Sequence, residues 1–197
     1  MPEIGADIRD NMGDGISEKN GNYSELTGLY WIWKNRLCIQ KDEDYYGLTH
    51  YRRFLNLSED DLLRLQDNDI DAMLPFPMPY APNIGAHHRR YLSEKEWKTG
   101  IQALRECSSE YAETFDEVLE QEYLYNYNII LAKRKVLEEY CAWLFPILFR
   151  AEEINDPKGR KSPDRFIGYL GENLETLYFN YHKDHLWITY AGCGFLV

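Results

Sequence analysis

Two hydrophobic periods alternate along this chain, and the alternation limits its fold more than any other feature. Tyr23, Leu26, Tyr30 and Trp33 recur at helical spacing, which predicts an amphipathic helix over residues 22–35 with Asn22 and Glu25 as its capping box. The aromatic-rich run 45–51, behind acidic residues Asp42 to Asp44, reads as a strand. Ser58 caps a short acidic helix ending near Gln66, and residues 70–74 form a second buried strand. Pro75, Pro77, Pro79 and Pro82 end that strand, since proline cannot donate to a ladder. Ser93 and Glu96 form another capping box, opening a helix to Cys107, and a further helix covers 109–120. Residues 128–132 are a third strand, 134–154 and 164–182 are helices, and 186–190 are a terminal strand. Strands separated by helices imply an α/β layer fold with a small, mainly parallel sheet flanked by helices, and 45–51 as a central strand.

A chain of 197 residues with 44% hydrophobic content builds one domain, residues 1–197. Residues 1–21 read as a polar loop, and residues 75–92 as a long Pro-rich loop, a length that in compact domains usually carries function. No apolar run reaches the roughly 20 residues of a membrane span and the start is polar and acidic, so the expected location is cytoplasmic. Cys38, Cys107, Cys141 and Cys193 are too scattered for a disulfide framework or a zinc site. A net charge of −11 argues against nucleic acid as a partner. A polyanionic ligand has to meet a local basic cluster instead.

Sheets of this class bind ligands beyond the carboxyl ends of their strands. His50, Tyr51, Arg52 and Arg53 stand there, and a guanidinium grips phosphate oxygens in bidentate fashion. The residues alone leave two readings open: a diphosphate site, or arginines paired with Asp42, Glu43 or Asp44. The loop from Gly13 to Asn20, with Lys19, leads into a helix N-terminus that can hold an anion, although P-loop spacing is absent. His87 and His88 are neighbours in a loop without metal-ligand geometry, which favours an acceptor-binding or partner-facing role. Glu172 lies in a largely apolar helical stretch, where a carboxylate is either a general base with a raised pKa or a structural group.

Taken in order, Ile16 to Asn20, Glu25 to Asn35, Tyr46 to Phe54, Tyr127 to Ile130, Glu139 to Phe145 and Gly168 to Glu172 resemble the DUF4422 family, over nearly the whole chain. That family comprises bacterial capsule, exopolysaccharide and lipopolysaccharide glycosyltransferases grouped with the GT-A nucleotide-diphospho-sugar transferases. The resemblance implies transfer of a hexose, such as galactose, from a UDP-sugar to a growing cell-surface glycan or lipid-linked glycan. It implies donor binding by Ser17, Lys19, Asn20, Thr27, His50, Tyr51, Arg52 and Arg53, catalysis by Glu172 and His50, and acceptor binding by Asn128, His87 and His88. Most GT-A enzymes hold a divalent metal with Asp-x-Asp at a strand end. Thr49 to Arg52 stand at the corresponding place, so metal-independent action through side-chain cations is expected. Family members usually begin with a hydrophobic strand and a His-containing loop ahead of the Ser17-to-Asn20 motif. This chain starts at the loop, so an N-terminally truncated fold is expected, and a catalytically inactive remnant binding sugar nucleotide, glycan or a pathway enzyme is the alternative function. Peripheral association with membrane-bound enzymes of the same pathway is a further expectation.

Overall fold

The computed structural model describes residues 9–37, 45–156 and 165–196. Cys38 and the acidic residues Asp42 to Asp44, offered above as partners for Arg52 and Arg53, lie outside them. Eight α-helices and eight strands are described: α1 Asn20–Tyr23, α2 Leu26–Ile32, β1 Tyr45–Leu48, β2 Arg53–Leu55, α3 Glu59–Asp67, β3 Ala72–Pro75, β4 Met78–Pro79, α4 Ile84–His88, α5 Glu94–Cys107, α6 Ala112–Glu120, β5 Tyr123–Leu124, β6 Ile130–Lys133, α7 Arg134–Asn155, α8 Phe166–Tyr181, β7 Ile188–Ala191 and β8 Cys193–Phe195. Short 3-10 turns precede α1 and α6, and a π-helical turn, Trp33–Leu37, extends α2.

The main sheet has the order β1-β6-β3-β7. The β1–β6 and β6–β3 pairs are antiparallel and only β3–β7 is parallel, so the α/β expectation holds but the sheet is mixed rather than mainly parallel. β1 is correspondingly an edge strand, not a central one. Alternation along the strands divides the interior into two cores. Tyr46, Leu48, Ala72, Leu74, Ile130 and Ala132 face the large core with the helices, while Tyr45, Met73 and Leu131 face a small one with Leu55, Leu65 and Ala191. On α7, Tyr140, Leu144, Leu148 and Ala151 repeat at the helical period and are almost wholly buried. Each of the two leucines contributes roughly 1.5–3 kcal/mol.

Local signals place the caps well. Ser58 with Asp61, and Ser93 with Glu96, form reciprocal capping boxes at the starts of α3 and α5. The box expected at Asn22 and Glu25 does not form, because Asn22 lies inside α1 and its side chain is used elsewhere: Oδ1 accepts the Ile167 N–H at the start of α8. That start needs help, since its N-cap Arg165 has φ 59° and no side-chain cap. The helical region begins earlier than residue 22 and breaks at Ser24, whose φ is 53°. The stretch 75–92 is not a plain loop either. It holds β4, paired with β5, and α4, capped by Asn83 Oδ1 accepting the Ala86 N–H. No helix among the described residues is long and apolar enough to cross a membrane.

Candidate functional site

β1 passes into β2 through a tight turn. The Arg53 N–H donates to the His50 carbonyl at 3.1 Å, and His50 and Arg53 form an isolated antiparallel bridge. The closure sets His50 and Arg53 side by side and leaves Tyr51 and Arg52 at the exposed tip, with the Arg52 guanidinium 4.7 Å from the Tyr51 ring. His50 Nδ1 accepts the Arg52 N–H at 3.3 Å, which leaves Nε2 to carry the proton of the neutral ring. Burial, followed by the charges of Arg53, Arg52 and Arg165, depresses the His50 pKa. Neither Arg53 nor Arg165 forms an ion pair among the described residues, and the Arg53 guanidinium lies 4.0 Å from the centre of the Tyr127 ring.

Two carboxylates face these cations. The consecutive residues Tyr127 (φ 73°) and Asn128 (φ 50°) adopt the left-handed backbone, and each fixes one carboxylate. The Tyr127 N–H donates to Glu172 Oε1 at 3.3 Å, and Asn128 Nδ2 donates to Glu25 Oε1 at 2.6 Å and to the Gly168 carbonyl. α8 approaches closely because it carries glycine here: a Cβ on Gly171 would stand 2.7 Å from Leu26 Cδ1, and one on Gly168 would stand 3.2 Å from Ser24 Oγ. Loss of solvation, then the charge of Glu25, pushes the Glu172 pKa up to about 8, against smaller opposing effects of the Tyr127 N–H and Arg53. Burial raises Glu25 as well, opposed first by its bond from Asn128. Of five non-glycine residues with positive φ among the described residues, four (Ser24, Tyr127, Asn128 and Arg165) lie at this place. Such conformations cost of order 1–3 kcal/mol each and cluster where function requires them.

The residues surround a cleft of two chambers that share Ser24, Glu25, His50 and Arg165. One, of about 340 Å³, adds Arg53, Glu172 and the aromatic residues Tyr80, His87, Tyr91, Tyr127 and Tyr169. The other, of about 560 Å³, adds Asn20, Thr27, Thr49 and Tyr51. The cleft thus brings together His50, Tyr51, Arg53, Asn20, Thr27, His87, His88 and Glu172 from the residues singled out in the sequence. Asn20 and Thr27 also hold the Ser24 turn, both donating to its carbonyl.

Four of those residues are placed differently. Lys19 pairs with Glu152 of α7 at 2.6 Å, where Tyr23 also donates, so its charge is spent on structure. Ser17 opens the 3-10 turn before α1 and, like Lys19, lines neither chamber. Arg52 lies at the exposed turn tip and lines neither chamber, and Asn128 is buried as the brace of Glu25 instead of facing an acceptor. Sequence reasoning missed Glu25, Arg165, Tyr91 and Tyr169. Asn128, a residue type that tolerates left-handed backbone, together with the glycine spacing of α8, was the available signal for the first of these. Among the described residues, no group of three His, Cys, Asp or Glu side chains is arranged to hold a metal ion.

The family described as "Domain of unknown function (DUF4422)" matches residues 3–184. The fold is similar to that of a solved bifunctional glycosyltransferase, WbbM in its apo form, with a TM-score of 0.81 and 25% identity. The match covers 95% of this chain and 39% of the WbbM chain, so this chain spans well under half of that protein's length. No curated protein matches the chain.

Proposed function

The chain belongs to the DUF4422 family, and from that premise we propose that it is a glycosyltransferase domain moving a hexose from a UDP-sugar to a glycan acceptor. The likeness to a bifunctional glycosyltransferase supports the reaction class. The observation that carries the reading is the convergence of His50, Arg53 and Arg165, which form no ion pair among the described residues, with the braced carboxylates Glu25 and Glu172 on one cleft.

In this reading the donor diphosphate lies against Arg53, Arg165 and the Nε2–H of His50. Glu172 takes the proton of an acceptor hydroxyl, and that oxygen forms a bond to the anomeric carbon of the donor sugar. The bond from the anomeric carbon to the diphosphate oxygen breaks, and UDP leaves with its new negative charge neutralised by the guanidiniums. Preorganised cations are effective here because they are already in place when the charge develops. A base whose pKa lies near 8 holds enough affinity for the proton while remaining partly ionised at neutral pH. Incubation with UDP-hexoses and glycan acceptors, following UDP release and product mass, tests the assignment. Acceptor-dependent UDP release that disappears in Glu172→Gln is the expected result. Binding of UDP-sugar with no transfer to any acceptor would make the domain a sugar-nucleotide-binding module instead.

A further inference from the structure

The two ends of the cleft differ in chemistry. The end at His50, Arg53 and Arg165 is cationic, whereas the far end of the smaller chamber is built from rings. The Tyr80 ring stacks on His87 with centroids 3.7 Å apart, and its hydroxyl accepts a hydrogen bond from Asn126 Nδ2 at 2.8 Å. His87 meets the edge of Tyr91, and Tyr91 stacks on Tyr169 at 5.1 Å. Tyr91 is 53% exposed, an unusual setting for a ring held on both sides. At the base of this wall lies His88. It is 0% exposed, it lines the chamber, and neither of its ring nitrogens has a hydrogen-bond partner among the described residues. A buried polar group left in that state costs about 1–3 kcal/mol, which a ligand hydroxyl would recover.

We infer that this end is the acceptor subsite and takes a neutral sugar ring, with an apolar face of the ring on Tyr91 and Tyr169 and a hydroxyl on His88. The assignment rests on the transferase reading for the word acceptor, but the binding chemistry stands on the chamber itself. Flat rings offer a surface for the C–H face of a pyranose. His88 as a neutral imidazole offers one donor and one acceptor, a match for a hydroxyl, which is both. Burial holds both His87 and His88 below the usual histidine range, so neither brings a positive charge. The nearest charges on this chamber once a diphosphate covers the cations are Glu25 and Glu172. An anionic sugar would meet carboxylates there, and Arg90, whose charge reaches His87, does not line the chamber.

Saturation-transfer NMR on the full chain saturated with UDP, using methyl hexopyranosides and the matching hexuronic acid as probes, tests this. Expected is binding of a neutral methyl hexoside, at least tenfold weaker binding of the hexuronate, and roughly tenfold weaker hexoside binding by Tyr91→Ala, the effect of one lost stacking contact. His88→Leu should lose a similar factor and His88→Asn, which keeps a donor and an acceptor, should lose less. UDP affinity should stay within about twofold in all three. Equal hexoside binding by Tyr91→Ala and wild type, or hexuronate binding as tight as hexoside, would overturn the subsite. Because Tyr91 is half exposed, its truncation tests the idea even if the His88 variants fail to fold. Hexoside binding without any UDP binding would support the sugar subsite and contradict the transferase reading, so the two fail separately.

Discussion

Lys133 and Arg53 are both cations placed by strands of the folded domain, yet their surroundings are opposite. Lys133 Nζ, at the end of β6, meets Asp69 at 2.5 Å and Asp71 at 2.9 Å, and Asp71 also accepts the Trp187 N–H. That cluster is closed: the ammonium is held by two carboxylates, and it ties β6 to the segment leading into β3 and to the start of β7. Arg53 and Arg165 have aromatic and carboxylate neighbours at longer range but no ion pair among the described residues, and they stand on a cleft. A protein of net charge −11 has ample carboxylates to pair every arginine. Two arginines without an ion pair among the described residues, beside strained backbone, fit the proposed anion site, whereas the lysine cluster is architecture.

Substitutions can break this contrast, and the largest effect is expected at the carboxylate of the smaller chamber. Glu172→Gln should lower the transfer rate on the order of 10²–10⁴-fold, measured as kcat with donor affinity retained. Arg53→Ala should weaken UDP-sugar binding by roughly ten- to a hundredfold, the worth of about 1.5–3 kcal/mol for a charge-assisted contact. Lys133→Ala should do the reverse: unchanged donor affinity in a titration, but a loss of about 1 kcal/mol in denaturant unfolding, since the cluster is partly exposed. Glu25→Gln sharpens the contrast through pH. Wild-type kcat/KM should rise with pH toward a plateau above about 8, as Glu172 ionises. Removing the Glu25 charge, one of the causes of that upward shift, should move the rising limb to lower pH. For stability the sign is opposite. Between the ordinary carboxylate value of 4.5 and about 8 the folded state keeps a Glu172 proton that the unfolded state releases, so stability falls as pH rises through that window.

The parts of this arrangement legible in the sequence are those set by near neighbours. The capping boxes of Ser58 and Ser93 bind residues three apart, and both form. The alternation of β3 and β6 between two cores follows from the two-residue period of any strand. Strand order is different in kind. β1 pairs with β6 through Tyr45 and Lys133, and nothing local in either segment states whether that pairing is parallel. Lys19 was read as a ligand group because its partner, Glu152, is 133 positions away. The left-handed backbone at Ser24, Tyr127 and Arg165 also has no glycine to announce it. Those turns aim Glu25, Glu172 and Arg165 into the cleft, so the site's chemistry was named in part by the sequence while its assembly depended on distant contacts.

The central claim is that cations of the chain itself bind the donor diphosphate. Calorimetric titration of a UDP-hexose in the presence of EDTA, on wild type, Arg53→Ala and Lys133→Ala, tests it most directly. The account predicts binding to wild type and Lys133→Ala alike, and a loss of roughly ten- to a hundredfold in Arg53→Ala. Binding that vanishes with EDTA in wild type, or that is untouched by Arg53→Ala in a folded variant, would contradict it.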